Sequence, residues 1–443
     1  MSVLASLLSC AALLQSPAGD PRPLFVVLAP GEWRAALEPF VSARAAELRV
    51  ELAALEDVLA SSAGVDPPAR IKRHLYQAWQ ERGARYALLV GDADTFPVRF
   101  MVLDRCTQEA ANFAFYASDL YYADVADERG AFDDWNAEHE GFHARYFGEV
   151  RGECNKDTRI DFDRVSYVPE LAVGRWPVSS AAELAALVAK TVAWRAPEHG
   201  RALFVHADGW VDERERVKAL SAELAQGGFE IERQLFGTPG ENPPTPATVL
   251  AALQRAPVLA LHLGHGSEET WHACLGPAER EALAGVRPMV LMSVGCSTGH
   301  LVNEPPYQPY LDELGVPHRG TNDGEVFHAP PPPPHWLQPG RFNSTGLGER
   351  LLRMPQGGAL AYIGCNTGAQ PCAVTLLDGF VRALGADPGA RIGDAWREAL
   401  AHYWRSEHLA ELVPDDGWYP PSVFFQGMKF MLFGDPTLRL AQR

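Results

Sequence analysis

Short apolar runs alternate with amphipathic segments through most of this chain, and that alternation restricts the fold more than any other feature. The runs are rich in Val, Leu and Ile: LFVVLAP (24–30), YALLVGD (86–92), ALFVHAD (202–208), VLALHLGHG (258–266), PMVLMSVGC (288–296) and GALAYIGC (358–365). Segments of helical period lie between them. Continuous apolar strands alternating with helices are typical of a mostly parallel sheet covered on both faces. The sequence therefore predicts an α/β fold.

The length of the chain and one internal break suggest how this fold is divided. A chain of 443 residues suits two or three domains or subdomains. A helical segment ends near residues 197–200, just before the apolar run at 202–208. We therefore predict an N-terminal α/β subdomain at 21–198 and a second α/β subdomain at 199–443.

The first 20 residues have the pattern of a leader. An apolar run from Val3 to Leu14 precedes Ser16, Pro17 and Ala18, a small-residue pattern that predicts a signal peptide cleaved after Ala18, although no Lys or Arg comes before the run. A lipid on Cys10, or a frayed helix on a cytoplasmic protein, is the alternative. We expect the mature protein to be secreted, periplasmic or held in the cell envelope. No other apolar run reaches the length of a membrane span.

Charge narrows the range of partners. Asp and Glu number 56 against 39 Lys and Arg, which gives a net charge of −17. Such a chain repels phosphate backbones and anionic lipid, so nucleic acid is excluded as the expected partner. Peptides and proteins, above all basic ones, suit this surface better. The sequence leaves the oligomeric state open.

Two strand-to-turn junctions bring a histidine and a cysteine into similar settings. His265 lies between Gly264 and Gly266 at the end of one predicted strand, and Cys296 follows Gly295 at the end of the next. Sequential parallel strands often lie side by side, so both side chains are expected at one edge of the sheet. A cysteine beside a histidine can act as a nucleophile with an acid/base partner. Backbone N–H groups of Gly266 and Cys296 would then stabilise an oxyanion.

The residues alone leave two other interpretations of this edge open. Cys296 can be a small buried side chain, and His265 can simply bond a backbone carbonyl. A zinc site would use His262, His265 and His300 with one cysteine, although residues three apart on a strand face opposite sides.

Two further features of the sequence provide alternative candidates for the functional residues. A near copy of the cysteine motif, ALAYIGCNTGA at 359–369, puts Cys365 in the same setting as Cys296, so Cys365 is a second candidate nucleophile or a disulfide partner of Cys372. Asp92 in VGDAD would suit a hydrolytic or phosphate-binding α/β protein, but no glycine-rich phosphate loop follows an early strand.

Seven segments in the same order resemble the catalytic domain of the gingipain family of cysteine peptidases. They extend over roughly residues 80 to 440: YALLVGDADTFPVR, SDLYYADV, PELAVGRWPVSSAAEL, LGHGSEETW, MSVGCSTG, MPQGGALAYIG and FGDPTLRL. The resemblance implies a caspase-like fold in which two α/β subdomains, with mostly parallel sheets flanked by helices, lie side by side.

The same resemblance implies an activity and its residues. It implies an exported cysteine endopeptidase that cleaves peptide bonds through a thioester, with Cys296 as nucleophile and His265 as the histidine of the dyad. It also implies Glu170 in PELAVGR as the acid that supports the histidine, and Gly266 in the oxyanion hole. No cofactor is needed for this chemistry. The alternative is a catalytically silent, peptidase-like binding or secretion-accessory protein.

Two segments of the chain extend or depart from the family pattern. Asp134, Asn136 and Glu138 resemble an oxygen-rich loop that binds structural calcium, but Glu138 stands where the family commonly has an Asp. The second segment is an insertion at 303–343, expected near the active site, whose Pro-rich stretch at 326–340 we predict to be a surface loop in polyproline conformation.

Overall fold

The structure is a computed structural model that describes residues 20–103, 109, 114–133, 165–412 and 419–442. The predicted signal peptide, apart from its last residue, and the calcium candidates Asp134, Asn136 and Glu138 lie outside these residues.

A single large sheet forms the centre of the protein. Its ten strands follow the order β2-β1-β3-β6-β14-β13-β10-β9-β7-β8, and two short antiparallel pairs, β4 with β5 and β11 with β12, lie apart from it. The strands are β1 (Leu24–Ala29), β2 (Arg49–Ala54), β3 (Ala84–Val90), β4 (Phe100–Leu103), β5 (Ala114–Ala117), β6 (Ala172–Trp176), β7 (Arg201–His206), β8 (Glu230–Leu235), β9 (Leu259–Leu263), β10 (Met289–Ser293), β11 (Tyr310–Leu311), β12 (Pro317–His318), β13 (Ala359–Cys365) and β14 (Phe430–Gly434).

The direction of the strands changes at one place in this sheet. Strand β14 pairs antiparallel with β13 and parallel with β6, whereas the other neighbouring strands of the large sheet pair in parallel. The strands β1, β2, β3 and β6 of this sheet therefore run opposite to β7, β8, β9, β10 and β13. The carboxyl ends of the two groups consequently lie at opposite edges of the sheet.

Helices cover both faces of the sheet, as the sequence predicts. They are α1 (Arg34–Arg44), α2 (Leu55–Ser61), α3 (Pro67–Arg82), α4 (Leu120–Ala123), α5 (Ala181–Ala193), α6 (Arg214–Gln226), α7 (Pro246–Leu253), α8 (Pro277–Glu281), α9 (Leu347–Arg353), α10 (Val374–Ala386), α11 (Ile392–Ser406) and α12 (Tyr419–Gln426). Helix α3 illustrates the local signals: the Asp66 carboxylate accepts a hydrogen bond from Ala69 N, and Gly83 ends the helix at φ 73°. None of the described helices is long and apolar enough to cross a membrane.

Two apolar clusters, one on each face, hold these layers together. The first includes Leu75 of α3, Leu220 of α6 and Leu376 of α10. The second includes Phe40 of α1 and Leu351 of α9. Because alternate residues of each strand point to opposite faces, both faces of every central strand are buried. That is why the strands appear in the sequence as unbroken apolar runs.

The Pro-rich insertion packs against the N-terminal half of the chain instead of standing away from it. Trp336 O accepts a hydrogen bond from Val98 N at 2.9 Å, and Pro305 O accepts one from Phe115 N at 2.8 Å. Pro333 and its neighbour in the Pro run are buried. A polyproline segment leaves its carbonyls free, and here a second chain segment uses them; Pro333 O, for example, accepts from Glu313 N at 2.8 Å. The prediction of a surface loop is therefore wrong for this part of the insertion.

Candidate active site

The tips of β9 and β10 lie in direct contact. Ser293 of β10 is paired with His262 of β9, and the contact continues beyond both strands. A Cβ atom placed on Gly295 would lie 2.9 Å from Gly264 O and 3.0 Å from Gly266 N. Only glycine allows backbones to approach so closely. The loops that carry His265 and Cys296 therefore touch at one edge of the sheet, as the sequence predicts.

His265 is held through one of its two ring nitrogens. Its side chain is exposed, and Nε2 lies 2.8 Å from the carbonyl oxygen of Gly209, in the loop after β7. A carbonyl can only accept, so Nε2 carries a proton and donates it. In the neutral ring, Nδ1 is then the nitrogen free to accept a proton. No hydrogen bond joins His265 to Cys296, both of which lie in the described part of the chain, so the two loops meet while the side chains remain apart.

Cys296 meets the loop that follows β13. Its Sγ accepts a hydrogen bond from Ala369 N at 3.3 Å and lies 3.7 Å from Ala369 O. The next residue, Ser297, has φ 53°, in the left-handed region that a residue with a side chain rarely adopts. Ser297 N donates to Thr367 O at 2.8 Å. The β13 loop thus fixes both the nucleophile candidate and the strained residue after it.

The accessibility of the thiols separates the cysteines that the structure describes. Cys274, Cys365 and Cys372 are buried, whereas Cys296 is partly exposed, and all four are free thiols. Burial raises the pKa of both Cys274 and Cys365 to about 12 and that of Cys372 to about 11. Because the thiolate is the nucleophile, these buried thiols are unreactive near neutral pH. Among the described cysteines, only Cys296 combines a strand-tip position with access to solvent.

His262 is a buried residue that contacts the Gly295 turn through Ser293. Its Nδ1 lies 2.9 Å from Ser293 Oγ, which also accepts from Gly295 N at 3.1 Å. The His262 ring stacks on Trp271 at 4.7 Å, and burial lowers its pKa to about 3. A neutral, buried His262 therefore supports the Gly295 turn. The described residues include no group of three or more side chains suited to hold a metal ion, which counts against the zinc interpretation.

The structure does not bring Glu170 to His265. Glu170 precedes β6, and four inter-strand spacings separate β6 from β9, which amounts to about 19 Å. Its Oε2 accepts from Val125 N at 2.9 Å and Ala126 N at 3.1 Å, and burial raises its pKa. The sequence could not show this separation, because spacing along the chain does not reveal how many strands intervene. The partner of the histidine is instead the Gly209 carbonyl, which side-chain motifs cannot reveal.

Asp92 lies at the other edge of the sheet, where its buried carboxylate is held by hydrogen bonds from neighbouring side chains. It follows the carboxyl end of β3, in the group of strands that run opposite to β9 and β10. Asp92 Oδ2 accepts from Arg353 at 2.6 Å and from Asn343 at 2.7 Å, and the side chain is 1% exposed. A carboxylate so enclosed and paired is unsuited to bind a substrate. This removes the support for a hydrolytic or phosphate-binding site at Asp92.

The insertion provides one side of the site. Gln308 Nε2 donates to Glu268 Oε1 at 2.9 Å, and Gln308 Oε1 accepts from Glu304 N at 2.9 Å, which joins the insertion to the loop after His265. Burial raises the pKa of Glu304 to about 7, partly offset by a hydrogen bond with Thr367. The sequence analysis predicted an insertion near the site, but it missed these residues, since nothing distinguishes a lining glutamate in a loop of this composition.

Solved structures resemble this chain in fold. The arginine-specific cysteine proteinase gingipain R matches with a TM-score of 0.58 at 16% identity, covering 94% of this chain and 78% of that one. The complex of Porphyromonas gingivalis RgpB pro- and mature domains matches equally well, at 16% identity over 94% and 79% of the two chains. A third structure, titled only as a protease, has a TM-score of 0.58 at 13% identity, covering 95% and 79%. The architecture is therefore that of the caspase-like α/β class, in its gingipain form.

The sequence itself identifies the family. The model of "Peptidase family C25" matches residues 19–441, which is nearly the whole chain. A comparison with curated protein sequences finds no match. The chain belongs to peptidase family C25, the gingipain family of cysteine peptidases. Its family implies peptide or protein substrates.

Proposed function

We propose that this protein is an exported cysteine endopeptidase whose nucleophile is Cys296 and whose acid/base group is His265. The observation that carries the proposal is the close approach of the Gly264–Gly266 turn and the Gly295–Cys296 turn, where a Cβ atom on Gly295 would lie 2.9 Å from Gly264 O. This contact brings an exposed imidazole and an accessible thiol to one sheet edge. Membership of the C25 family supports the same reaction class.

The proposed reaction uses the thiolate and the imidazole in turn. The Cys296 thiolate attacks the carbonyl carbon of the scissile peptide bond and forms a tetrahedral intermediate. When the C–N bond breaks, protonated His265 gives its proton to the leaving amine, and a thioester to Cys296 remains. Water deprotonated by neutral His265 then hydrolyses the thioester, which releases the acid product and the free thiol. In the orientation that the structure shows, Nε2 donates to Gly209 O, which leaves Nδ1 as the nitrogen free to transfer protons.

Backbone N–H groups are proposed to stabilise the oxyanion. Gly266 N lies beside the Gly295 backbone, and Cys296 N follows in the same turn. Both belong to rigid, closely packed turns, so they would need no reorganisation as negative charge develops. A side chain at Gly266 would meet Cys296 O at 2.9 Å, which explains why glycine is needed here.

The side chains of the dyad must approach each other for this reaction. His265 and Cys296 are not hydrogen-bonded in the structure, and catalytic contacts often tighten only when substrate binds. A rotation of the exposed His265 side chain requires no change of the backbone, because the two turns are already in contact.

Hydrolysis of fluorogenic peptides with varied residues before the scissile bond tests the proposal. Cys296→Ala is expected to abolish turnover, by at least about a thousandfold, because it removes the nucleophile. Cys365→Ala serves as the matched control and should retain turnover within about threefold. Equal activity of wild type and Cys296→Ala would refute the dyad. An inactive wild type whose thiol still reacts normally would favour the silent binding or secretion-accessory role.

Export and calcium binding are proposals that depend on the sequence alone. The apolar leader supports cleavage after Ala18, and the mass of the mature N-terminus tests it. The oxygen-bearing residues Asp134, Asn136 and Glu138 support a structural calcium ion. Equilibrium dialysis at millimolar calcium should find bound ion in the wild type and less in Asp134→Ala; an ion-free wild type would exclude this site.

A further inference from the structure

One peptide group connects a buried lysine to the sulfur of Cys296. Lys429 Nζ donates to the carbonyl oxygen of Gly368 at 3.4 Å. The N–H of the same peptide belongs to Ala369, and it donates to Cys296 Sγ at 3.3 Å. A cation at the oxygen of a peptide group withdraws electron density from its nitrogen and makes the N–H a stronger donor.

Lys429 is buried beside the Gly368 carbonyl, unlike most lysines, whose ammonium groups lie in solvent. It lies immediately before β14, its side chain is only 5% exposed, and its own carbonyl accepts from Asn366 N at 2.8 Å. Burial of a lysine is unfavourable unless the site uses or compensates the charge. No acidic side chain forms an ion pair with Lys429 in the part of the chain that the structure describes.

We propose that Lys429 is a positioning residue for the catalytic cysteine, because it polarises the Gly368–Ala369 peptide, whose N–H stabilises the Cys296 thiolate. This inference rests on the proposed role of Cys296 as nucleophile, but it concerns the state of the sulfur and not turnover. The Cys296 thiolate is then stabilised by this N–H even while the His265 side chain points away from the sulfur.

The other titratable groups around Lys429 modulate this effect. Cys365, Cys372, Cys296 and Glu304 face it, and the ring of Tyr116 lies 5.9 Å from Nζ. Burial lowers the pKa of Lys429, and these acidic groups raise it in part. Because Cys365 and Cys372 are neutral near pH 7, Glu304 is the carboxyl group that opposes the lysine. Burial raises its pKa to about 7, so its charge changes near neutral pH.

The pH dependence of Cys296 alkylation by iodoacetamide, followed by peptide mass mapping, tests the proposal. Lys429→Met should raise the midpoint of the alkylation profile by about half a pH unit or more, which is about a threefold lower rate below the midpoint. Lys429→Arg should restore most of the wild-type profile. Glu304→Gln should move the midpoint in the opposite direction, since it removes the opposing charge and requires no change at the lysine.

A second buried lysine provides the control. Lys190 donates to Leu352 O at 2.7 Å, Met354 O at 2.9 Å and Gly357 O at 3.3 Å. The carbonyl groups that Lys190 bonds do not contact Cys296. Lys190→Met is therefore expected to lower stability without moving the midpoint of Cys296 alkylation. Equal midpoints in wild type and Lys429→Met would overturn the proposal, whatever Glu304→Gln shows. If Lys429→Met does not fold, Lys429→Gln, which also removes the cation, takes its place in the comparison.

The failure of this inference and the failure of the proposed function give different results. If Cys296 is not the nucleophile, Cys296→Ala keeps its peptidase activity, whatever the alkylation profiles of the lysine variants show. If the lysine has only a structural role, turnover disappears in Cys296→Ala while the alkylation midpoint stays fixed across the lysine variants.

Discussion

The turns after β10 and β13 have almost the same sequence and very different environments. One reads VGCSTG and the other IGCNTG, with Cys296 and Cys365 at the same place in the motif. In the sheet, however, Ser293 pairs with Gly364, so Cys365 lies two residues deeper than Cys296. Cys365 is also paired with Phe430 of β14, which leaves its thiol enclosed by strands on both sides. A register offset of two residues thus separates an accessible thiol from a buried one.

The difference teaches that a motif specifies local conformation, whereas register and neighbours specify reactivity. A shift by two residues keeps each side chain on the same face of the sheet but changes its distance from the edge. The β13 motif accordingly has a supporting role: its loop supplies the Ala369 N–H and the Thr367 carbonyl that hold the Cys296 turn. The four predictions below test this assignment of roles.

The largest expected difference between the two motifs is in thiol reactivity. Brief treatment of the native protein with iodoacetamide at pH 7.5 should modify Cys296 and leave Cys365 unmodified. Burial raises the pKa of Cys365 to about 12, which lowers its thiolate fraction about a thousandfold relative to an ordinary thiol. Peptide mass mapping provides the measurement, and protein unfolded in guanidinium provides the control in which both thiols react. Label on Cys365 with Cys296 untouched would reverse the assignment.

The last glycines of the two motifs should differ next. A Cβ atom on Gly299 would lie 2.5 Å from Gly364 O, whereas one on Gly368 would meet nothing within 4 Å. Gly299→Ala is therefore expected to lower the free energy of unfolding by about 1–3 kcal/mol, because backbone atoms must move. Gly368→Ala should change it by less than about 0.5 kcal/mol. Urea denaturation of both variants gives the comparison, and similar losses in the two would contradict the described packing.

The two cysteines should also contribute unequally to stability. Cys365 is fully buried in the apolar cluster of one sheet face, so Cys365→Ala leaves a small cavity and should cost about 1 kcal/mol. Cys296→Ala removes a partly exposed side chain and should cost less than that, although it is expected to abolish turnover. Thermal denaturation measured together with peptide hydrolysis checks both properties. If Cys296→Ala proved less stable than Cys365→Ala, the conclusion that Cys365 is the more deeply buried cysteine would be contradicted.

The smallest expected effect is on the pH dependence of stability and comes from Glu304, which bonds Thr367 in the loop after β13. Burial raises the pKa of Glu304 from its ordinary 4.5 to about 7, so the folded state binds this proton more tightly than the unfolded state. Between these two pH values stability should therefore fall as pH rises. Glu304→Gln, which stays neutral, should make the melting temperature less dependent on pH between 5 and 8. Superimposable curves for wild type and variant would show that the carboxyl group is not held in a desolvated site.

Much of the fold and part of the site could be predicted from the sequence. Unbroken apolar runs such as LFVVLA of β1 indicated buried parallel strands, and glycines beside His265 and Cys296 indicated close turns at adjacent strand ends. The reversal of direction at β14 could not be predicted, because a five-residue apolar run is equally compatible with either orientation. That reversal separates Asp92 from the site.

The partners of the site residues were not predictable either. Gly209 holds His265 through a backbone carbonyl, and any residue has one, so no side-chain pattern indicates it. Glu170 resembled the family pattern in sequence but lies beside Val125 and Ala126. Lys429 left one weak signal, a lone charge in the otherwise apolar stretch that leads into β14.

The sequence by itself determined the α/β class, the family and the two turns in which the proposed chemistry resides, because apolar periodicity and glycine placement act over a few residues. Only the tertiary structure decided which cysteine reaches solvent, which group orients the histidine and which peptide touches the sulfur. These properties depend on strand order, strand direction and register. All three arise from packing between segments that are far apart in the chain, where no local pattern records the outcome.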